Sequence, residues 1–143
     1  MNSPSTATLL LQAFQCLIDE LVADLHKAGY REIRSAHSRV FEHLPAKGER
    51  VVRMAQAAQM TQQSMTELVD YLERLGYVER LADPRDGRAK LVRLTETGKK
   101  LAAAGRVSMR RIDASWESHL GKDRMRQMRS ALSDVLELYK PHK

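Results

Sequence analysis

Cysteine is nearly missing from this 143-residue chain: Cys16 stands alone, which excludes an intrachain disulfide and any cysteine-built zinc site. The five histidines, His26, His37, His43, His119 and His142, are scattered and never take the i, i+4 spacing of a helical metal pair, so no metal site is expected. There is no P-loop, no G-x-S-x-G nucleophile turn and no dinucleotide fingerprint; the chain does not read as an enzyme, and no cofactor is expected. The opening MNSPSTAT lacks the positive charge of a secretory signal, and the apolar run after it is broken by Asp19, Glu20 and Asp24, a density of acids unsuited to a membrane span. The expectation is a cytoplasmic protein with no membrane partner. Internal repeats and low-complexity stretches are absent too.

What is present fits one compact, helix-rich domain with helical extensions, since apolar residues make up 43% and charged residues 29% of the chain. A net charge of +6 and a pI near 9.7 favour a polyanionic partner. The charge is uneven. Residues 79–100 hold seven basic side chains against four acidic ones, and residues 106–129 hold seven against three, so positive charge gathers in the second half.

Hydrophobic periodicity predicts a first helix over 5–27, with Leu10, Phe14, Leu17, Leu21 and Leu25 at steps of three and four and Ile18 and Val22 widening the stripe. A shorter helix over 33–43, marked by Ala36, Val40, Phe41 and Leu44, ends at a turn containing Pro45 and Gly48. Residues 50–59 have helical spacing at Val51, Met54, Ala55 and Ala58. Thr61 is placed to cap a helix over 62–75 that buries Met65, Leu68, Leu72 and Leu75. Two short helices across a tight bend, the second with a polar first turn, make a helix-turn-helix; the plainer alternative is two ordinary packed helices.

The next stretch is the most informative. Residues 76–98, GYVERLADPRDGRAKLVRLTETG, read as two short strands, with Val78 and Leu81 on one and Val92 and Leu94 on the other, joined by a turn over 83–87. A helix followed at once by a basic-tipped hairpin suits a duplex, helix in the major groove and hairpin reaching the minor. In the first turn of that helix Gln62 and Gln63 are the candidates for reading bases, with Thr61, Ser64 and Thr66 able to bond base or phosphate. Arg88 suits the negative potential of a narrow minor groove. Arg85 and Lys90 would touch phosphates, though Arg85 reads nearly as well as ordinary surface charge. Against strong readout, the helix carries Glu67, Asp70 and Glu73 against Arg74 alone. Thr95 then caps a long helix through Leu101, Val107, Ile112 and Trp116. Gly121 interrupts it, and a last helix carries Met125, Met128, Leu132, Val135, Leu136 and Tyr139 before Pro141.

Over residues 50–100 the chain resembles the MarR family of bacterial winged helix-turn-helix transcription regulators. The Met54-Ala55 pair, the Gly76-Tyr77-Val78-Glu79-Arg80 lead into the wing, the Asp86-Gly87-Arg88 tip and the Leu94-Thr95-Glu96-Thr97-Gly98 exit carry the likeness. The resemblance implies a mainly α fold with a small β-hairpin wing, in which residues 33–95 form the winged region and helices over 5–32 and 96–140 form a homodimer. It further implies a pseudo-palindromic operator in double-stranded DNA, Asp86 bracing the Arg88 guanidinium, and a small-molecule effector lodged near Tyr30, His37 and Phe41. The wide apolar stripes of the first and last helices are consistent with a partner chain, a single larger core being the alternative. A branch of the family senses peroxide through a lone cysteine near the start of the first helix. Here no basic residue lies within a turn of Cys16, and an inert place in the core is the favoured reading. A general duplex-binding or protein-interaction module is the remaining alternative.

Overall fold

A computed structural model describes residues 3–141. His142, one of the scattered histidines, and the first two residues of the opening stretch lie outside that range. The Ser5 hydroxyl accepts the Thr8 N–H at 3.1 Å and so starts α1 (Thr6–Lys27). Of its apolar stripe, only Ile18 and Leu25 are buried. By length and a mean hydropathy of 1.3 this helix is apolar enough to cross a membrane. Its acids, however, are engaged inside the protein: Glu20 and Asp24 accept hydrogen bonds from Arg111 at 2.8 Å each, and Asp24 accepts a second from the Ser108 hydroxyl. These bonds from Ser108 and Arg111 hold the Asp24 carboxyl below its ordinary pKa.

The helix expected over 33–43 is shorter and begins later. Arg34 is extended, a 3₁₀ turn spans Ser35–His37, and α2 is only Ser38–Glu42. The His37 Nδ1 accepts the Arg34 N–H at 2.9 Å, and His26 Nε2 donates to the Ile33 carbonyl at 2.6 Å. Side-chain bonds thus hold an irregular segment in place of a helical first turn. Ile33 still serves as a buried anchor, whereas Ala36, read as an apolar mark, is exposed.

Two helices of the winged region follow, α3 (Val51–Ala57) and α4 (Gln62–Arg74). Thr61 caps α4 as expected, accepting the Ser64 N–H at 3.1 Å. The buried row of α4 is Met65, Val69 and Leu72, at i, i+4 and i+7, which moves the stripe's centre onto Val69 and leaves Leu68 and Leu75 half-buried on its flanks. Together with Val40, Met54, Val78, Val92 and Leu101, these side chains form the core of the winged region.

The hairpin pairs β1 (Val78–Asp83) with β2 (Asp86–Leu94), antiparallel, with Val78 opposite Leu94, Arg80 opposite Val92 and Ala82 opposite Lys90. An irregularity between Ala82 and Asp83 brings Asp83 opposite Asp86. The turn is therefore only Pro84 and Arg85, tighter than the five residues expected. Residues three apart on a strand point to opposite faces, so Leu81 cannot join Val78 in the core and is exposed, opposite Leu91. A third segment joins the sheet unannounced: Glu49 and Val92 exchange backbone hydrogen bonds at 3.0 and 2.8 Å. Gly48 permits this approach, because at its φ of +90° a Cβ would lie 2.8 Å from the Val92 carbonyl oxygen.

The exit motif is explained atom by atom. The Thr95 side chain accepts the Gly98 N–H and donates to the Gly76 carbonyl, while a Cβ on Gly98 would sit 1.9 Å from the Tyr77 carbonyl oxygen. Only glycine lets α5 (Glu96–Leu120) start against the residue that leads into the wing. Gly121 separates α5 from α6 (Lys122–Glu137), and Ile112 and Met125 are the buried residues of those two helices farthest along the chain.

Candidate nucleic-acid interface

The first turn of α4 is exposed and polar, but its side chains are not equivalent. Thr61 and Ser64 hydrogen-bond each other at 2.8 Å as part of the cap. Thr66 is half-buried. Gln62 and Gln63 are exposed, with no side-chain hydrogen bond among the described residues, and both keep the amide donor and acceptor that a base edge requires.

Acidity further along α4 has a local explanation. Asp70 and Glu73 both bind Arg80 of β1, at 2.7 and 2.9 Å, so two of the three acids lock the wing's base to the helix. Summing their charges along the sequence hid this. Arg93 is tied to Glu79 across the hairpin at 2.9 Å, and Lys99 to Glu96. Three of the basic residues in 79–100 are thus spent internally. Those near the turn, Arg85, Arg88 and Lys90, are exposed and have no ion pair among the described residues.

Two aspartates shape that turn. Asp83, read only as a turn residue, is buried; its carboxylate accepts the Arg85 N–H at 2.9 Å and the Arg50 guanidinium at 2.7 Å. The same two partners, Arg85 first, hold its pKa below the ordinary value. Asp86 accepts the Arg88 backbone N–H at 3.1 Å, so the brace expected at the Arg88 guanidinium acts on the backbone, an Asx turn that sets the chain direction from which the side chain leaves.

A sequence profile described as the MarR family matches residues 50–89, the span from the start of α3 to the wing tip just described. The whole fold resembles a crystal structure of transcriptional regulator PA4135, 26% identical over 97% of this chain and 100% of that one, with a TM-score of 0.76. Over residues 50–89 the chain is similar to the MarR family. Apo wild-type MarR from E. coli has the same fold, at a TM-score of 0.77 and 20% identity over 94% and 99% of the two chains. So does S. aureus MepR bound to ethidium bromide, at 0.60 and 22% over 98% and 100%. No curated protein sequence matches the chain.

A cavity of about 420 Å³ lies among α1, α2 and α5, lined by apolar groups such as Leu17, Leu21, Phe41 and Met109, with Arg34 and Arg106 also on its wall. Of the three residues expected at an effector site, Phe41 lines it and the other two do not. Tyr30 packs edge-on against Tyr77, with ring centroids 6.1 Å apart. His37 is buried and stacks on Tyr71 of α4 at 4.6 Å. Cys16 is exposed in the single chain, which corrects its expected place in the core: the buried side of α1 runs through Ile18 and Leu25, and Cys16 lies off it.

Proposed function

We propose that this protein is a cytoplasmic transcriptional regulator that grips a pseudo-palindromic operator as a homodimer, its α4 helices in successive major grooves and its wings in the flanking minor grooves. One observation carries the reading. The cations at the wing's base are neutralised inside the protein, while Arg85, Arg88 and Lys90 around its turn have no ion pair among the described residues and lie in the same winged region as the exposed amides of Gln62 and Gln63. A surface under no demand for an outside anion gives no reason for that division. Exposed Leu9, Leu10, Leu11 and Phe14 on α1, with Leu132, Val135 and Leu136 on α6, supply the apolar face through which two copies would join. The cavity falls within the size range of small-molecule sites and is apolar apart from a few charged groups; an effector bound there would act by changing the spacing of the two wings.

Footprinting on DNA flanking the protein's own gene tests this. A two-fold symmetric protection of about two helical turns is expected, and diffuse, salt-sensitive binding would favour a general duplex binder instead. Arg88→Ala should weaken operator binding by about 1–3 kcal/mol; gel shifts at wild-type strength would remove the wing from the mechanism.

A redox reading through Cys16 is favoured by its exposure. Peroxide should then release DNA from the wild type and not from Cys16→Ser, and equal release from both disposes of it.

A further inference from the structure

Beside the wing turn a polar groove of about 520 Å³ separates the segment around Lys47, Arg50 and Arg53 from Asp83 and Arg85. We infer that this groove seats the sugar-phosphate backbone of duplex DNA, with Arg53 and Lys47 as phosphate contacts additional to those of the reading helix and the wing tip. The inference rests on the DNA-binding reading above and adds a second anchoring point to it.

The charges in the groove point outward. Among the described residues, Arg50 is the one groove cation held by the protein, through two bonds to one oxygen of Asp83 at 2.7 and 2.8 Å. Lys47, Arg53 and Arg85 are exposed and have no carboxylate within ion-pair distance among the described residues. The groove's two acids are already occupied: both oxygens of the buried Asp83 are bonded, and Glu49 accepts the Arg50 N–H at 2.9 Å. Four cations therefore face two carboxylates, of which Asp83 is bonded at both oxygens and Glu49 at one, leaving the groove basic. That is unlike the wing's base, where Arg80 and Arg93 each find an acid.

Its shape is held firmly. The Arg50–Asp83 pair ties its two walls together, and the backbone bonds between Glu49 and Val92 anchor one wall to β2. Arg85 belongs both to this groove and to the turn. Arg88 follows three residues later, at most about 11 Å away along an extended chain, well under the roughly 34 Å of one duplex turn. A strand whose minor groove receives Arg88 would pass the groove. Backbone contacts of this kind fix register without reading sequence.

The test measures operator and scrambled-duplex affinity against salt for the wild type and for Lys47→Ala/Arg53→Ala. Phosphate contacts predict a slope of log K against log salt shallower by about 1 for each cation removed per bound protomer, with equal losses on both duplexes. Arg53→Lys should keep the wild-type slope, and Lys27→Ala/Arg124→Ala, which removes the same charge from exposed sites outside the groove, should move it far less. Both groove residues are exposed, so an unchanged thermal melt shows that the fold survives. An unchanged slope in the groove variant, a loss confined to the operator, or an equal change in the control overturns the groove while leaving the DNA reading standing. A wild type that binds no duplex at all overturns both.

Discussion

The winged region and the terminal helices use the same kind of amphipathic periodicity and reach opposite outcomes. In α4, Met65, Val69 and Leu72 are completely buried, and α3 and the strands complete that core with Met54, Val78 and Val92. On α1, by contrast, Leu9, Leu10, Leu11 and Phe14 are 46–58% exposed, and in and just after α6, Leu132, Val135, Leu136, Leu138 and Tyr139 are 41–80% exposed. Periodicity marks which side chains should leave water; it does not say which chain supplies the cover. Here one half of the molecule covers itself, and the other leaves large apolar side chains of α1 and α6 exposed to solvent in the single chain.

The sharpest way to break this contrast is to charge the uncovered face. Leu132 and Leu136 sit four apart on one side of α6. At a two-fold interface each is used twice, and with the two residues 41% and 66% exposed in the single chain, Leu132→Glu/Leu136→Glu should remove about 1–4 kcal/mol of association per leucine. Sedimentation should find a monomer whose winged region still melts near the wild-type temperature, together with loss of two-site operator protection. A variant that remains dimeric would show that these leucines are not the joint.

The complementary change lies inside the winged core. Met65→Ala leaves a cavity beneath α4 and should cost about 2–5 kcal/mol of unfolding free energy in denaturant titrations, with no new monomer at concentrations where the protein is folded. A loss below about 1 kcal/mol would mean that the winged region does not stabilise itself.

What could be read from sequence divides along a similar line. Features set within a few residues were legible: the caps at Thr61 and Thr95, the stripe of α4, the hairpin, the break at Gly121. Their physics is local, resting on hydroxyl-to-amide bonds one turn away and on residue period. Features set by partners far along the chain were not. Nothing near Asp83 announces Arg50, 33 residues away, and nothing in Glu49 announces pairing with Val92. Nothing near Arg80 announces its pairing with Asp70 and Glu73 of α4. On β1 the apolar Val78 and Leu81 part company, because a step of three reverses the face of a strand. Of the residues expected around a cavity, Phe41 and the stripe of α1 line the one described above, whereas Tyr30 and His37 find Tyr77 and Tyr71 instead.

His37 offers the smallest and most selective probe of the self-covered half. Its ring lies between the irregular segment before α2 and the far end of α4, where the Tyr71 hydroxyl also donates to the Glu32 carbonyl at 3.0 Å. Accepting the Arg34 N–H at Nδ1 requires the neutral imidazole. Burial, and secondarily the Arg34 charge, push its pKa below the ordinary 6.5. The unfolded chain therefore binds this proton more readily than the folded one. The stabilising contribution is complete above pH 6.5 and is lost as the pH falls from there through the depressed folded value. His37→Gln keeps an acceptor without a titrating proton, so the melting temperature of the wild type should fall more steeply than that of the variant between about pH 7 and 5. Because His26, His43 and His119 are common to both proteins, the difference between the two curves belongs to His37, and parallel curves would show that its neutral ring does not hold the irregular segment to α4.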